Sequence, residues 1–396
     1  MFNKLTFSYL NTSLGFWLTG FLIPLVILDL SRSAFLVTVS YAVNIVPYIL
    51  ITPFAGAFGD LFNRKRIIMF GEACCALAGI ALYLIPFTYG NIPLIIILGF
   101  IISCFAAIHH PIFQTIIPDV FNQEKIKNIN SDIGVIDSIV SIIAPAALGF
   151  ILIGFDKKIV CMVVFICYLI SFITFSRILY ERSHAETKFT FAFVMNSLKE
   201  GVLYVLDKKE LRNIAILFFA VNFGIRLVLP NLMWIFGALY HLNDKQIAPY
   251  FIIIGIGAIA GAKAAVPLIG KIPDVRIISY CTLLTALFSF LLLLTNNALM
   301  VAIVWALSSF VQSVIVVTFF TYRQKITETY ILGRVVSVTR LISYLAIPFA
   351  TIVSGWFIDH TLSVDIIYFT SGVIILLSFV FFILVNQIQH ARAKNN

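Results

Sequence analysis

Long uninterrupted apolar runs, separated by short polar segments, make up most of this 396-residue chain. A helix that spans a bilayer needs about 20 apolar residues, and twelve runs reach that length. The runs are continuous rather than alternating and exceed the ~10-residue strands of a membrane β-barrel, so they predict helices. The predicted spans are, roughly, 6–28, 34–58, 67–87, 92–117, 129–154, 158–180, 212–236, 247–269, 276–295, 298–321, 334–357 and 365–387.

The longest polar segment lies in the middle of the chain, at roughly residues 181–211. Leu198, Val202 and Leu206 recur at every fourth position within it, which favours an amphipathic helix on the membrane surface. The fold class expected is an all-α membrane protein with two bundles of six helices. Its predicted parts are a first bundle over 1–182, a cytoplasmic amphipathic linker over 183–211 and a second bundle over 212–396.

Composition agrees with this pattern: 61% of the residues are hydrophobic, 11% are charged and the mean hydropathy is +1.03. Soluble chains carry about 25% charged residues. No stretch is polar enough for a separate catalytic domain, and the sequence contains neither a Walker loop nor a nucleophile motif. We therefore expect no enzyme activity, no cofactor and no metal.

The net charge of +9 reflects membrane topology rather than nucleic-acid binding. If the N-terminus is cytoplasmic, 20 of the 27 Lys and Arg residues fall in inner segments, four fall in outer loops and three fall within helices. Such a bias is the positive-inside signal. It predicts that both termini are cytoplasmic, and we expect no nucleic acid among the partners.

The loop after the second span carries a recognisable motif. Residues 56–66 read Gly-Ala-Phe-Gly-Asp-Leu-Phe-Asn-Arg-Lys-Arg, which resembles the signature loop of the major facilitator superfamily. Leu61 and Asn63 stand where that motif usually has Arg and Gly. Further segments are similar to the branch that holds macrolide-efflux proteins and the enterobactin exporter; they lie at residues 28–34, 111–130, 144–149, 333–337 and 355–359.

This resemblance implies a twelve-helix secondary transporter of the bacterial inner membrane, usually an exporter driven by protons and working as a monomer. Helices 1, 4, 7 and 10 would line a central cavity, and the two halves would rock around it. The motif begins at Gly56, and its residues Asp60 and Arg64 would form a latch that holds the inner gate closed. Further basic and acidic residues expected to brace that gate are Glu72, Arg334 and Arg340.

Proton coupling requires a titratable group inside the membrane, where charge costs about 2.5–3.5 kcal/mol per group. Asp137 lies well inside the fifth span, on a face of small and polar residues, and His109 and His110 lie at a similar depth in the fourth. We predict that His110 and Asp137 meet and carry the proton, since histidine titrates near physiological pH. The alternative is a structural hydrogen bond that fixes the two helices.

Arg226 lies past the midplane of the seventh span, one turn after Asn222 on the same face. It is a candidate substrate contact; the alternatives are an internal ion pair and snorkelling at the lipid edge. Aromatic and polar residues of spans 1 and 10 suit a large, partly apolar cargo. These predicted cavity residues are Trp17, Phe21, Trp305, Ser309 and Gln312.

Taken together, these features predict proton-coupled export of a small organic molecule by alternating access. Two cargo classes remain open. One is lipophilic drugs such as macrolides; the other is a secreted siderophore, expected to be anionic because Arg226, Lys263 and Arg340 outnumber Asp137 in the helices. The alternatives are import of a similar solute and, less favoured, a lipid flippase or membrane-embedded enzyme.

Overall fold

A computed structural model describes the chain apart from residues 1–3, 52–62, 121–128, 130–132, 134–135, 137–139, 141–143, 145–146, 153, 179–190, 329–330, 362 and 396, and apart from the side chains of some helical residues, His110 among them. Over these ranges the regular structure is helical, with one isolated bridge between Ile269 and Ile272. The longer helices are α1 (Lys4–Ser31), α2 (Ala34–Leu50), α3 (Arg64–Leu84), α4 (Ile92–Val120), α5 (Lys157–Ser176), α6 (Phe191–Asp207), α7 (Lys209–Val228), α8 (Asp244–Leu268), α9 (Asp274–Leu291), α10 (Ala298–Ile326), α11 (Leu332–Thr361) and α12 (Asp365–Asn395). Short helical turns over Leu229–Asn231, Leu232–Trp234 and Ile235–Leu239 follow α7.

Among the described residues, ten helical segments are long and apolar enough to cross a membrane, and α2 is a shorter apolar helix. Eleven of the twelve predicted spans coincide with a described helix. In the remaining one, 129–154, the described residues include Ile129, Ile133, Ile136 and Val140, all helical and buried. Their spacing of three or four residues places them on one face of a helix. The predicted all-α membrane fold is confirmed.

Several helices begin at a side chain that caps them. Asn63, Asn243 and Asn297 each accept a hydrogen bond from the backbone N–H three residues ahead. Asp156 does the same for the start of α5, and Gln246 completes a capping box with Asn243. Such caps contribute about 1 kcal/mol each. Asn63, which departs from the superfamily motif, thus fixes the start of α3.

Contacts divide the chain into two compact units, Met1–Arg32 with Val43–Met195 and Ser33–Ala42 with Asn196–Asn396. In the first unit α1 packs against α4 and α5, and α3 packs against α4 and α5. Glycine permits the close approach of α3 to α5, because a Cβ on Gly79 would lie 3.0 Å from the backbone nitrogen of Phe165. The core of this unit surrounds the polar residues described below.

In the second unit α8 packs along α10, α9 contacts α10 and α12, and α7 contacts α11 and α12. The approach of α8 to α10 is close enough to exclude any side chain at two positions. A Cβ at Gly257 would lie 2.2 Å from the carbonyl oxygen of Ala306, and one at Gly261 would lie 2.0 Å from that of Phe310. Small residues at this spacing let membrane helices pack backbone to backbone.

The central polar segment contains α6, and from Asn196 onward α6 belongs to the second unit. Gly201 faces Arg334 and Val338 of α11, and Val205 joins a buried apolar cluster with residues of α7 and α11. Val202 and Leu206 are exposed, at 38% and 50% of their surface. The helix therefore has one face that docks on the unit and another that is apolar and uncovered.

Candidate functional sites

A cluster of polar side chains lies inside the first unit, and we call it the Glu72 cluster: Thr12, Glu72, His109 and Ser171. The Thr12 hydroxyl donates to Oε1 of Glu72 at 2.5 Å. Nε2 of His109 lies 3.2 Å from the same carboxylate oxygen. Oγ of Ser171 lies 2.9 Å from the Thr12 hydroxyl. The cluster thus joins α1, α3, α4 and α5 through one carboxylate.

The Glu72 cluster is deeply buried. Glu72 is 2% exposed and His109 is 6% exposed. Eight residues of α3 precede Glu72, which places it about 12 Å along the helix at 1.5 Å per residue. Its second carboxylate oxygen is also buried and has no hydrogen-bond partner within the described part of the chain. An ionised carboxylate only accepts hydrogen bonds, whereas a protonated one also donates, so this oxygen can hold a proton.

Aromatic rings enclose the imidazole of His109. The ring centroids of Tyr9 and Phe113 lie 6.0 and 5.3 Å from that of His109, both nearly parallel to it. Glu72 and His109 also line a small crevice with Gly71 and Tyr168. This arrangement holds the imidazole in one orientation against the carboxylate and leaves a small space beside the pair.

The predicted proton-carrying pair of His110 and Asp137 falls on the side chain of His110 and on residue 137, both outside the described structure. That prediction therefore stays a prediction. For the neighbouring His109 the structure gives a different partner, Glu72, which sequence analysis assigned to the inner gate. The two residues lie on different helices, and no motif or helical spacing relates them.

The structure describes only some of the remaining gate residues. Gly56 and Asp60 lie outside the described residues, and Arg64 is the first residue of α3. Arg334 forms an ion pair with Glu200 of α6. Arg340 is exposed. The latch proposed for Asp60 is thus untested by the structure.

Arg226 of α7 forms the second candidate site, within the second unit. It lies 17 residues after Lys209, about 26 Å along the helix. Its Nη1 donates to the hydroxyl of Tyr41 at 2.5 Å, and the guanidinium carbon lies 5.8 Å from the centre of the Tyr41 ring. Its Nε is buried without a hydrogen-bond partner, and no ion pair found in the described part of the protein includes Arg226.

A second arginine of this unit was missed by sequence analysis, which counted it as part of an inner loop. Arg323 of α10 is only 5% exposed. It donates to the Thr339 hydroxyl at 2.8 Å, and its guanidinium carbon lies 5.1 Å from the ring centres of both Phe319 and Phe320. It too belongs to no ion pair among the described residues. The signal available in the sequence was the pair of aromatic residues one turn earlier, Phe319 and Phe320, which could have indicated that Arg323 is covered.

The other predicted cavity residues have varied surroundings. Asn222 donates its amide to the carbonyl of Phe218 in its own helix. Trp17 and Phe21 are half-buried and stack with a centroid distance of 6.2 Å. The remaining three lie on α10, where Trp305 is 1% exposed and packed in the core, Gln312 donates to Ser308 at 2.8 Å, and Ser309 is half-buried.

Another contact within the second unit involves Asp359 near the end of α11. Its carboxylate accepts hydrogen bonds from the Ser33 hydroxyl and from the backbone N–H groups of Ala34 and Phe35. A Cβ at Gly355 would clash with Thr38, so α2 and α11 approach closely here. Asp359 therefore caps the first turn of α2 from another helix.

Two helical units of closely packed, membrane-length helices with ionisable side chains inside them are an architecture that many secondary transporters share. The chain belongs to the Major Facilitator Superfamily, whose family model matches residues 5–351. It is 24% identical over 399 residues to an uncharacterized MFS-type transporter, YkuC, of Bacillus subtilis (strain 168), covering 96% of this chain and 91% of YkuC.

Solved structures agree on the fold. A D-xylose-proton symporter superposes with a TM-score of 0.72 at 14% identity, covering 96% of this chain and 97% of the symporter. The human organic anion transporter MFSD10 superposes with a TM-score of 0.67 at 12% identity, covering 96% of this chain and 100% of MFSD10. These proteins share the transporter fold with this chain, and their cargoes differ from one another.

Proposed function

We propose that this protein is a proton-coupled transporter that exports a small organic anion across the bacterial inner membrane, as a monomer with both termini cytoplasmic. The observation that carries the proposal is Arg226, a cation well inside the apolar helical segment Lys209–Leu239 that has no carboxylate partner among the described residues. A charge within a membrane span costs about 2.5–3.5 kcal/mol on insertion scales, so an unpaired one calls for a function.

A guanidinium suits an anionic cargo because its planar set of N–H donors matches the geometry of a carboxylate. Tyr41 occupies one Nη1 hydrogen and positions the group, while the buried Nε is left to donate to a ligand. Arg323 adds a second buried cation in the same unit. Together they favour the anionic cargo class, to which a siderophore-like molecule belongs, over neutral or cationic drugs.

The proposal is tested with inverted membrane vesicles, whose lumen corresponds to the outside of the cell. An exporter that exchanges cargo for protons should accumulate fluorescein, an organic anion, when the lumen is acidic. Passive partitioning of a weak acid runs the other way, towards an alkaline lumen, so accumulation in an acidic one reports the protein. Rhodamine 6G, a cationic dye with a similar ring system, serves as the comparison.

The expected result is gradient-dependent accumulation of fluorescein, absent from vesicles that lack the protein, with little accumulation of rhodamine 6G. Accumulation of rhodamine 6G without fluorescein would overturn the anionic cargo. Accumulation of either dye that does not depend on the pH gradient would overturn proton coupling.

A further inference from the structure

We propose that Glu72 and His109 form the protonation site through which this transporter couples proton movement to its conformational change, an assignment that rests on the proposed function. The pair lies wholly within the first unit, between α3 and α4, and α1 reaches it through Thr12. From the sequence, Glu72 is predicted to brace the inner gate, and His109 is grouped with His110 and Asp137 as candidates for the coupling proton.

The two groups lie at ion-pair distance from each other. Nε2 of His109 and Oε1 of Glu72 are 3.2 Å apart, while Oε2 of Glu72 has no hydrogen-bond partner within the described ranges. With one proton between them the pair is either an ion pair or two neutral groups, and both have zero net charge. A second proton, taken from water onto Oε2 or Nε2, gives the pair a charge of +1; its return to water restores zero.

Burial makes this change consequential. Taking an ionised group out of water is costly, so the protonation state of the pair depends strongly on whether water reaches it. Two interacting titratable groups also release their protons as a pair rather than independently. A pair that exchanges protons when water enters its crevice, and holds them when the crevice is closed, has the property that coupling requires.

Within the described part of the first unit, the groups that line the crevice with the pair do not offer a competing charge. Tyr168 of α5 and Cys75 of α3 line the same crevice, and Tyr9 of α1 stacks on His109. Both Tyr168 and Cys75 are buried. Phenol and thiol groups are ordinarily neutral at physiological pH. Among the described residues that line this crevice, Glu72 and His109 are thus the groups left to exchange a proton.

Hydrogen bonds connect the pair to the helix that carries predicted cavity residues. Thr12 donates to Glu72 and lies five residues before Trp17 on α1. Ser171 contacts both Thr12 and Ser8, at 2.9 and 2.7 Å between oxygens. A change in the charge of Glu72 alters what Thr12 and Ser171 can donate and accept, so the change reaches α1 and α5 directly.

The first test uses no cargo. Infrared difference spectra of the purified protein in lipid are recorded between about pH 8 and about pH 5, the range in which histidine and a buried carboxyl can titrate. We expect a carboxyl C=O band that appears on acidification, is lost in Glu72→Gln and shifts in its pH dependence in His109→Gln. Asp29→Asn, which removes a half-exposed carboxylate paired with Lys157, is the matched control and should keep the band. Identical spectra for wild type and Glu72→Gln would overturn the proposal.

The second test separates coupling from structure with fluorescein in proteoliposomes. Glu72→Gln should retain exchange of the dye across vesicles without a pH gradient but lose accumulation driven by the gradient, and Glu72→Asp should restore part of it. Undiminished accumulation in Glu72→Gln would overturn the site, as would equal loss of exchange and accumulation with no rescue by Glu72→Asp. If the infrared band belongs to Glu72 but the wild type moves no fluorescein, the cargo assignment fails and the protonation site stands.

Discussion

Arg226 donates a hydrogen bond to the hydroxyl of Tyr41 at 2.5 Å. Among the described residues, no carboxylate forms an ion pair with Arg226. In a membrane helix, a cation that lacks an acidic partner is available to a ligand of opposite charge. The tyrosine holds the guanidinium without neutralising it. This relationship gives the cargo-binding proposal its main support.

Replacement of Arg226 tests the charge of the cargo. Arg226→Gln should reduce fluorescein transport to near the level of vesicles without protein, whereas Arg226→Lys should keep part of it because the positive charge remains. Arg212→Gln on the same helix is the control, since Arg212 donates to the exposed Leu206 carbonyl and should tolerate the change. Equal transport by the Gln and Lys variants would contradict an anionic cargo.

Asp359 should stabilise the protein through the first turn of α2. Three donors point at its carboxylate, and a charge-assisted cap of this kind contributes about 1–2 kcal/mol. Asp359→Asn should therefore lower the thermal unfolding temperature of the purified protein in detergent. The control is Asp365→Asn, which removes an acidic residue at the start of α12. A larger drop for Asp365→Asn than for Asp359→Asn would show that the cap contributes little.

Replacement by alanine should destabilise the protein at Gly261 but not at Gly20. A Cβ at Gly261 would lie 2.0 Å from the carbonyl oxygen of Phe310, so Gly261→Ala must push α8 away from α10. At Gly20 nothing lies within 4 Å of the added carbon, and alanine is the better helix former by about 1 kcal/mol. Thermal unfolding should show Gly261→Ala destabilised and Gly20→Ala unchanged or stabilised. A neutral Gly261→Ala would refute the close packing of the two helices.

Much of the fold could be predicted because it follows from local chemistry. Apolar length locates the spans, and Asn243 and Asn297 mark helix starts through their own side chains. The close packing of α8 on α10 also rests on local chemistry, because Gly257 and Gly261 carry no side chain at the contact.

The candidate sites were harder to predict because they join distant parts of the chain. Glu72 and His109 are 37 positions apart on helices with no shared motif, and Tyr41 precedes Arg226 by 185 positions. Trp305 was predicted to line the cargo cavity, but its ring is packed in the core at 1% exposure. The helix that carries it was predicted correctly, whereas the direction of its side chain could not be read from periodicity alone. Depth in a span can be counted from sequence, whereas the partner on another helix depends on how the bundle packs.

The most direct test of proton-coupled export measures proton movement caused by cargo. Purified protein is reconstituted into vesicles with an acidic lumen. The lumen contains a trapped pH-sensitive dye whose emission wavelength is separate from that of fluorescein. Adding fluorescein outside should raise the lumenal pH as protons leave in exchange for the dye, and Glu72→Gln should abolish this rise. Dye entry with an unchanged lumenal pH, or with a fall in it, would contradict proton-coupled export.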